Sequence, residues 1–180
     1  GINLWVDGSY QNTERNEAEA GAVTESVPAG RDEDDDVDSA AVAFGTKLSY
    51  QGFAVVASGF YGTGMGIRGQ HAFGAAQTGA LDDVGKERKS YGGYLQGTYD
   101  FGQGTSAGYS YGGNCLKKTG NDMNTTGVMN CQTMHSGMIW HNVTDNFRLI
   151  AEGGYTEKTW YLFDTDQEDS FGGVGAFFFW

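Results

Sequence analysis

Few residues in this 180-residue chain are of kinds that do chemistry, and their spacing decides how each is read. Cys115 and Cys131 are its two cysteines, with 15 residues between them and no C-x-x-C. Two chemistries fit that spacing: a disulfide, or a metal site that recruits His135 or His141. Gly64-Met65-Gly66-Ile67-Arg68-Gly69 matches G-x-G-x-x-G and follows Val55-Val56-Ala57. A dinucleotide fold needs a helix next and an acid about 20 residues on. Asp82 and Asp83 have roughly that spacing, but Gly74, Gly79 and the polar stretch between make a poor helix, so the motif carries little weight. The run Asp32 to Asp38 is acidic enough for a calcium loop. An EF-hand, however, requires Gly at the sixth position and Glu at the twelfth, where Val37 and Ala43 stand. What remains is a hydrated acidic loop, or loose divalent-cation binding by Asp32, Asp34, Asp35 and Asp36. His71, His135 or His141 could serve a hydrolase with a carboxylate, but no nucleophile motif accompanies them. The expectation is therefore a non-enzyme without a cofactor, with an enzyme as the least supported alternative.

Four more charges, Asp7, Lys47, Arg148 and Glu152, share a property of position rather than of motif. Each falls on the polar phase of a stretch in which apolar and polar residues alternate, the pattern of a half-exposed β-strand. In residues 2–10, Ile2, Leu4, Val6, Gly8 and Tyr10 alternate with Asn3, Trp5, Asp7 and Ser9. Alternation resumes at 42–50 and, after the turn Gln51-Gly52, at 53–61. It returns at 91–99, at 105–111 beyond a turn over 100–104, at 133–142 with less certain phase, at 147–155 beyond Asn142–Asn146, and at 170–180. In the last stretch Gly172, Val174, Ala176, Phe178 and Trp180 lie on one side. Charges on a water-facing side set ion preference through their local field. The alternative is ordinary cross-strand pairing, Lys47 with Asp7 and Arg148 with Glu152.

The connections between these stretches alternate long and short. Long polar segments near 11–38, 62–88, 112–132 and 157–169 are separated by the three tight turns. That is the order of an up-and-down transmembrane β-barrel, with about 10-residue strands, long outer loops and short inner turns. Tyr50, Phe53, Tyr99, Phe101 and Phe147 gather at the turn end of the strands. Tyr10, Tyr61, Tyr91, Tyr111 and Tyr155 gather at the other, so the two sets suggest interfacial aromatic girdles. The bland alternative is a soluble β-sandwich or barrel with an apolar interior.

Composition narrows the classes. Gly accounts for 30 residues and Pro for 1 while aromatics reach 14%, which excludes a disordered linker. No run approaches 18 apolar residues, so no transmembrane helix is expected, a test that a β-barrel escapes. The net charge of −12 opposes binding to nucleic-acid phosphates. Ten acids and two bases within 11–38 hold −8 of it. The chain opens directly on a strand pattern, without Met or a leader, as a processed chain or a portion of a longer one would.

The segments Tyr91–Gly102, Thr105–Gly112 and His141–Thr156, with the Phe178-Phe179-Trp180 end, resemble the general diffusion porins of Gram-negative outer membranes. The resemblance covers most of 1–180 as a pattern and leaves the loops unmatched. It implies an all-β, antiparallel up-and-down transmembrane β-barrel and a water-filled channel for passive diffusion of ions and small hydrophilic solutes. Such porins usually have sixteen strands, and about eight are read here, so the resemblance implies a C-terminal portion. A complete eight-stranded structural or adhesive barrel is the alternative, and its interior would be filled by side chains; an outer-membrane enzyme is the least supported alternative. The polar phases offer small residues (Gly45, Ser49, Ser58, Gly92, Thr98, Ser110, Gly154, Gly173, Gly175), which suits a wide interior; Tyr94, Gln96, Phe177 and Phe179 argue the other way. The resemblance further implies Phe178 and Trp180 as an assembly signal for the barrel-assembly machinery, outer-membrane lipid and lipopolysaccharide as surroundings, and a homotrimer. The outer membrane faces an oxidising space, which favours the disulfide for Cys115 and Cys131 over the metal site.

Overall fold

In the computed structural model of the chain, residues 1–13, 37–65, 79–82, 86–122, 128–161 and 166–180 are described. They form one antiparallel sheet of eight strands: β1 (Ile2–Thr13), β2 (Val37–Tyr50), β3 (Phe53–Thr63), β4 (Lys89–Gly102), β5 (Thr105–Leu116), β6 (Met129–Thr144), β7 (Phe147–Trp160) and β8 (Gln167–Phe178). Each strand pairs only with its neighbours in sequence, in the order β1 to β8. The all-β, up-and-down architecture expected from the alternation is therefore present. Closure is not: β1 and β8 make no contact, and among the described residues no strand pairs with the outer edge of either. A complete eight-stranded barrel would need those two strands to pair. A sandwich would need a second sheet against the first, and the described residues make only one.

The tight turns follow from local chemistry. Gln51 and Gly52 both have positive φ, 46° and 84°, the two-residue geometry whose twist matches that of the flanking strands. At the β4–β5 turn Gly102, Gln103 and Gly104 all lie in the left-handed region, and the register shifts between Asp100 and Gly102. The long connections are shorter than the sequence suggested. β5 runs to Leu116 and β6 begins at Met129, so much of the expected 112–132 loop is paired strand. Likewise β7 runs to Trp160 and β8 begins at Gln167, inside the expected 157–169 loop.

The ladders carry one apolar phase across all eight strands. Val6 lies opposite Phe44, Phe44 opposite Gly59, Ala57 opposite Leu95, Leu95 opposite Tyr111, Ile139 opposite Ala151, and Ala151 opposite Val174. On this apolar face Leu4, Val6, Phe44, Leu95, Ile139 and Val174 are exposed. In β4 the polar-face residues from Gly92 to Thr98 are half-buried while the apolar-face residues between them are exposed, the reverse of a soluble sheet. The fully buried apolar side chains among the described residues are Leu116 and Met129, packed with Val128, Trp160 and Tyr161 where the long connections leave the sheet. Among the described residues no buried layer lies beneath the apolar face.

Candidate functional site

The polar face carries the residues that the sequence singled out, and the register fixes their neighbours. Asp7 stands opposite Ala43, and Lys47 between Asn3 and Val56. Arg148 stands between Asn142 and Phe177, and Glu152 between Met138 and Gly173. The expected pairing of Lys47 with Asp7 and of Arg148 with Glu152 is absent from the ladder, because four residues of strand separate each pair. Arg148 is instead held locally: its Nε donates to Oδ1 of Asn142 at 2.6 Å, and its guanidinium lies over Phe179, 5.5 Å from the ring centre. Asp7, Lys47 and Glu152 are exposed. The two bases stand near the tight-turn end and the two acids nearer mid-strand, so the polar face is patterned in charge along the strands.

Between these charges the polar face is surfaced by aromatic rings lying on glycines. Trp5 is directly opposite Gly45, Phe60 opposite Gly92, Tyr94 opposite Gly112, and Phe171 opposite Gly154. A Cβ placed on Gly45 would fall inside the Trp5 indole, and one on Gly92 would come within 2.6 Å of Phe60 Cε1. Of the small residues that suggested an open interior, Gly45, Gly92 and Gly154 are thus seats for rings, while a Cβ at Gly173 would meet nothing within 4 Å. The rings cover the backbone without standing up from it, as aromatic residues do opposite glycine in designed sheets. Ser110 and Ser136, buried between strands β5 and β6, bond to each other at 2.9 Å.

At the long-connection end the polar face is covered, and here lies a cluster that the sequence reading missed. Arg88 is 1% exposed. Its Nη2 donates to Oδ1 of Asp122, its Nε donates to the Leu81 carbonyl at 3.0 Å, and its guanidinium sits 5.9 Å from the ring centre of Tyr161. Asp122 also accepts from the Thr119 N–H at 2.6 Å. Asp82, 3% exposed, accepts from the Lys86 N–H, the Thr119 hydroxyl and the Asn121 amide. Tyr161 donates its hydroxyl to the Leu116 carbonyl. Burial pushes the Tyr161 phenol up to about 12; the Arg88 guanidinium offsets part of the rise and the Asp122 carboxylate adds to it. The phenol therefore stays a neutral donor through the physiological range.

Cys115 and Cys131 are joined as a disulfide with Cα atoms 4.1 Å apart. The pair is not inside a loop, as expected, but directly opposite across β5 and β6 on the apolar face, at the foot of the β5–β6 connection. The bond leaves no thiolate for a metal. His135 is engaged elsewhere, its Nδ1 2.6 Å from the Tyr109 hydroxyl and its ring 4.5 Å from that of Tyr111. His141 Nδ1 lies 2.7 Å from the Thr105 hydroxyl. Reducing the disulfide is expected to lower stability by about 3 kcal/mol, the chain-entropy value for a loop of this length. Denaturant titration of oxidised and reduced protein measures it, and coincident midpoints would contradict it.

Several sequence readings fall outside the described residues. These are the acidic residues Asp32, Asp34, Asp35 and Asp36, the histidine His71, and Gly66 to Gly69 of the glycine motif. Phe178 ends β8 opposite Phe147, with the rings stacked at 4.7 Å, and Trp180 is fully exposed beyond it. Among the described residues no three His, Cys, Asp or Glu side chains converge as metal ligands. No protein family, curated protein or solved structure matches this chain.

Proposed function

We propose that this sheet is part of the wall of a larger β-barrel, a porin of about sixteen strands in the outer membrane of a Gram-negative bacterium. Its apolar face meets lipid, and its polar face lines a water-filled passage for ions and small hydrophilic solutes. The observation that carries the reading is the continuous exposed apolar face across eight strands. Patches of more than a few hundred Å² are rare on soluble monomers and mark surfaces that meet something apolar. Two aromatic rows support it. Phe53 and Tyr99 are paired at one end of β3 and β4, and Tyr61 and Tyr91 at the other. The eight residue steps from one row to the other span about 26 Å of strand, near the height of a barrel's apolar band once tilt is allowed for. The outer edges of β1 and β8, unpaired among the described residues, add a third argument. Unpaired backbone groups in hydrocarbon cost several kcal/mol each, roughly, so β1 and β8 require further strands beside them.

On this reading the protein performs no reaction and holds no cofactor. Its partners are outer-membrane lipid and lipopolysaccharide, the assembly machinery that engages Phe178 and Trp180, and two further copies in a trimer. The passage favours cations, because the segment 11–38 carries a net −8. That field reaches about 8 Å at physiological ionic strength, so it biases entry without reaching deep into the passage, and added salt weakens it. The test is the zero-current potential of the complete natural chain in planar bilayers under a salt gradient. Stepwise currents with a cation preference that declines as salt rises support the proposal. Anion preference overturns the selectivity, and failure to conduct overturns the channel.

A further inference from the structure

Three long connections meet at Arg88. Leu81 and Arg88 belong to the β3–β4 connection, Asp122 to β5–β6, and Tyr161 to β7–β8. Arg88 and Ser90 continue the polar phase of β4, and Ser90 faces Leu116 across the ladder. All three side chains are buried, while Lys89 and Tyr91 on the opposite phase at the same height are exposed. The described parts of the connections therefore fold over the polar face.

We propose that Arg88 is a positioning residue that holds these three connections across the outer mouth of the passage and so sets its width. The inference rests on the channel reading. Stability alone does not account for an arginine here. A buried ion pair loses in desolvation much of what it gains by attraction, and apolar side chains of similar volume often serve as well or better. This one is also imperfectly satisfied, since Arg88 Nη1 and Ser90 Oγ are buried without a hydrogen-bond partner. What a guanidinium supplies and an apolar side chain does not is direction. Its planar fork fixes the angles at which Asp122 and the Leu81 carbonyl approach, and its flat face fixes Tyr161. The network around it has the same directional character: Asp82 gathers donors from Lys86, Thr119 and Asn121, and the Lys117 N–H bonds the Lys89 carbonyl at 2.8 Å.

The test compares the complete natural chain with Arg88→Met and with the double variant Arg88→Met/Asp122→Leu, which strands no buried carboxylate. Two readouts are taken on protein inserted in lipid: tryptic cleavage at Lys86, Lys89, Lys117 and Lys118, and single-channel conductance with the size limit for sugar uptake into vesicles. Cleavage in both variants is expected to rise about tenfold or more, because proteolysis follows the population of opened connections. Conductance is expected to rise roughly 1.5-fold, with larger sugars admitted, as the mouth widens. If Arg88→Met fails to insert, the double variant decides. Unaltered conductance and size limit in the double variant, beside a conducting parent, overturn the inference and leave the channel standing, even if cleavage is faster. A parent that carries no current overturns the channel reading, and the role of Arg88 in a mouth with it.

Discussion

Leu95→Arg is expected to destabilise the protein in lipid by about 2–4 kcal/mol, the cost of an arginine on the lipid face near a barrel's mid-height. Leu95 lies halfway between the aromatic positions Tyr91 and Tyr99 of β4, opposite Ala57 and Tyr111, and its side chain is 52% exposed. In water the same change at so exposed a site would alter stability by no more than about 0.5 kcal/mol, since a charge there is solvated. The size of the effect therefore reports the solvent on that face. Glu152→Arg is the matched control. It puts the same side chain on the polar face, where Glu152 is exposed between Met138 and Gly173, and is expected to change stability little. Urea unfolding from lipid vesicles measures both. Equal midpoints for Leu95→Arg and Glu152→Arg would mean that the apolar face does not meet lipid.

A second large effect is expected from methyl groups added to glycine. Gly92→Ala and Gly154→Ala should each cost about 1–3 kcal/mol, the usual range for overpacking. The new Cβ at Gly92 would sit 2.5 Å from the Gly113 carbonyl oxygen as well as against Phe60. At Gly154 it would meet the Phe171 ring at 2.5 Å and collide with the His135 carbonyl. Rings can swing away, but a carbonyl moves only with its strand, so the ladder must shift. Gly97→Ala and Gly137→Ala are the contrast. Nothing lies within 4 Å of a Cβ at either, and both have ordinary strand φ. These two are expected to be neutral or to stabilise by about 0.4–1 kcal/mol, through reduced freedom of the unfolded chain. A uniform response to all four substitutions would refute the account of glycines as ring seats.

The sheet was legible in the sequence because a strand with one apolar and one polar side writes its own period. Ile2 to Tyr10 and Phe53 to Tyr61 are examples, and all eight strands were found. The phase of β6 was not legible. Its apolar face is His135, Gly137, Ile139 and His141, while Met134, Met138 and Trp140 lie on the other, so composition points the wrong way. Only pairing with β5, which sets Ser136 against Ser110, fixes it. The cysteines were read as partners, but the segment near 112–132 was read as a loop where the chain is still strand to Leu116 and again from Met129. The four polar-face charges were found individually, and their neighbours were not, because register across strands is a property of pairs of segments. The Arg88 cluster left no trace at all. Its ion pair joins residues 34 apart in segments without periodicity, and nothing local distinguishes Asp122 from any other loop acid.

The consecutive ladder also constrains how such a sequence can change in length. Side chains alternate with a period of two, and each of β2 to β7 is locked to both neighbours, so losing one residue inside β4 ahead of Thr98 would carry Tyr99 to the polar side and bring Thr98 out on the apolar side. Losing two would shorten the sheet and leave each remaining side chain on its own side. Insertions and deletions within the strands are therefore governed by parity, whereas the connections accept any number. The odd steps that the chain already contains obey this rule. Its register shifts fall at Asp100/Gly102, Met129/Cys131 and Asn142/Thr144, each at the end of a strand, where few side chains remain to be inverted. Divergence in such a sheet should accumulate as length polymorphism at its two ends, with an unchanging or evenly stepped span between them.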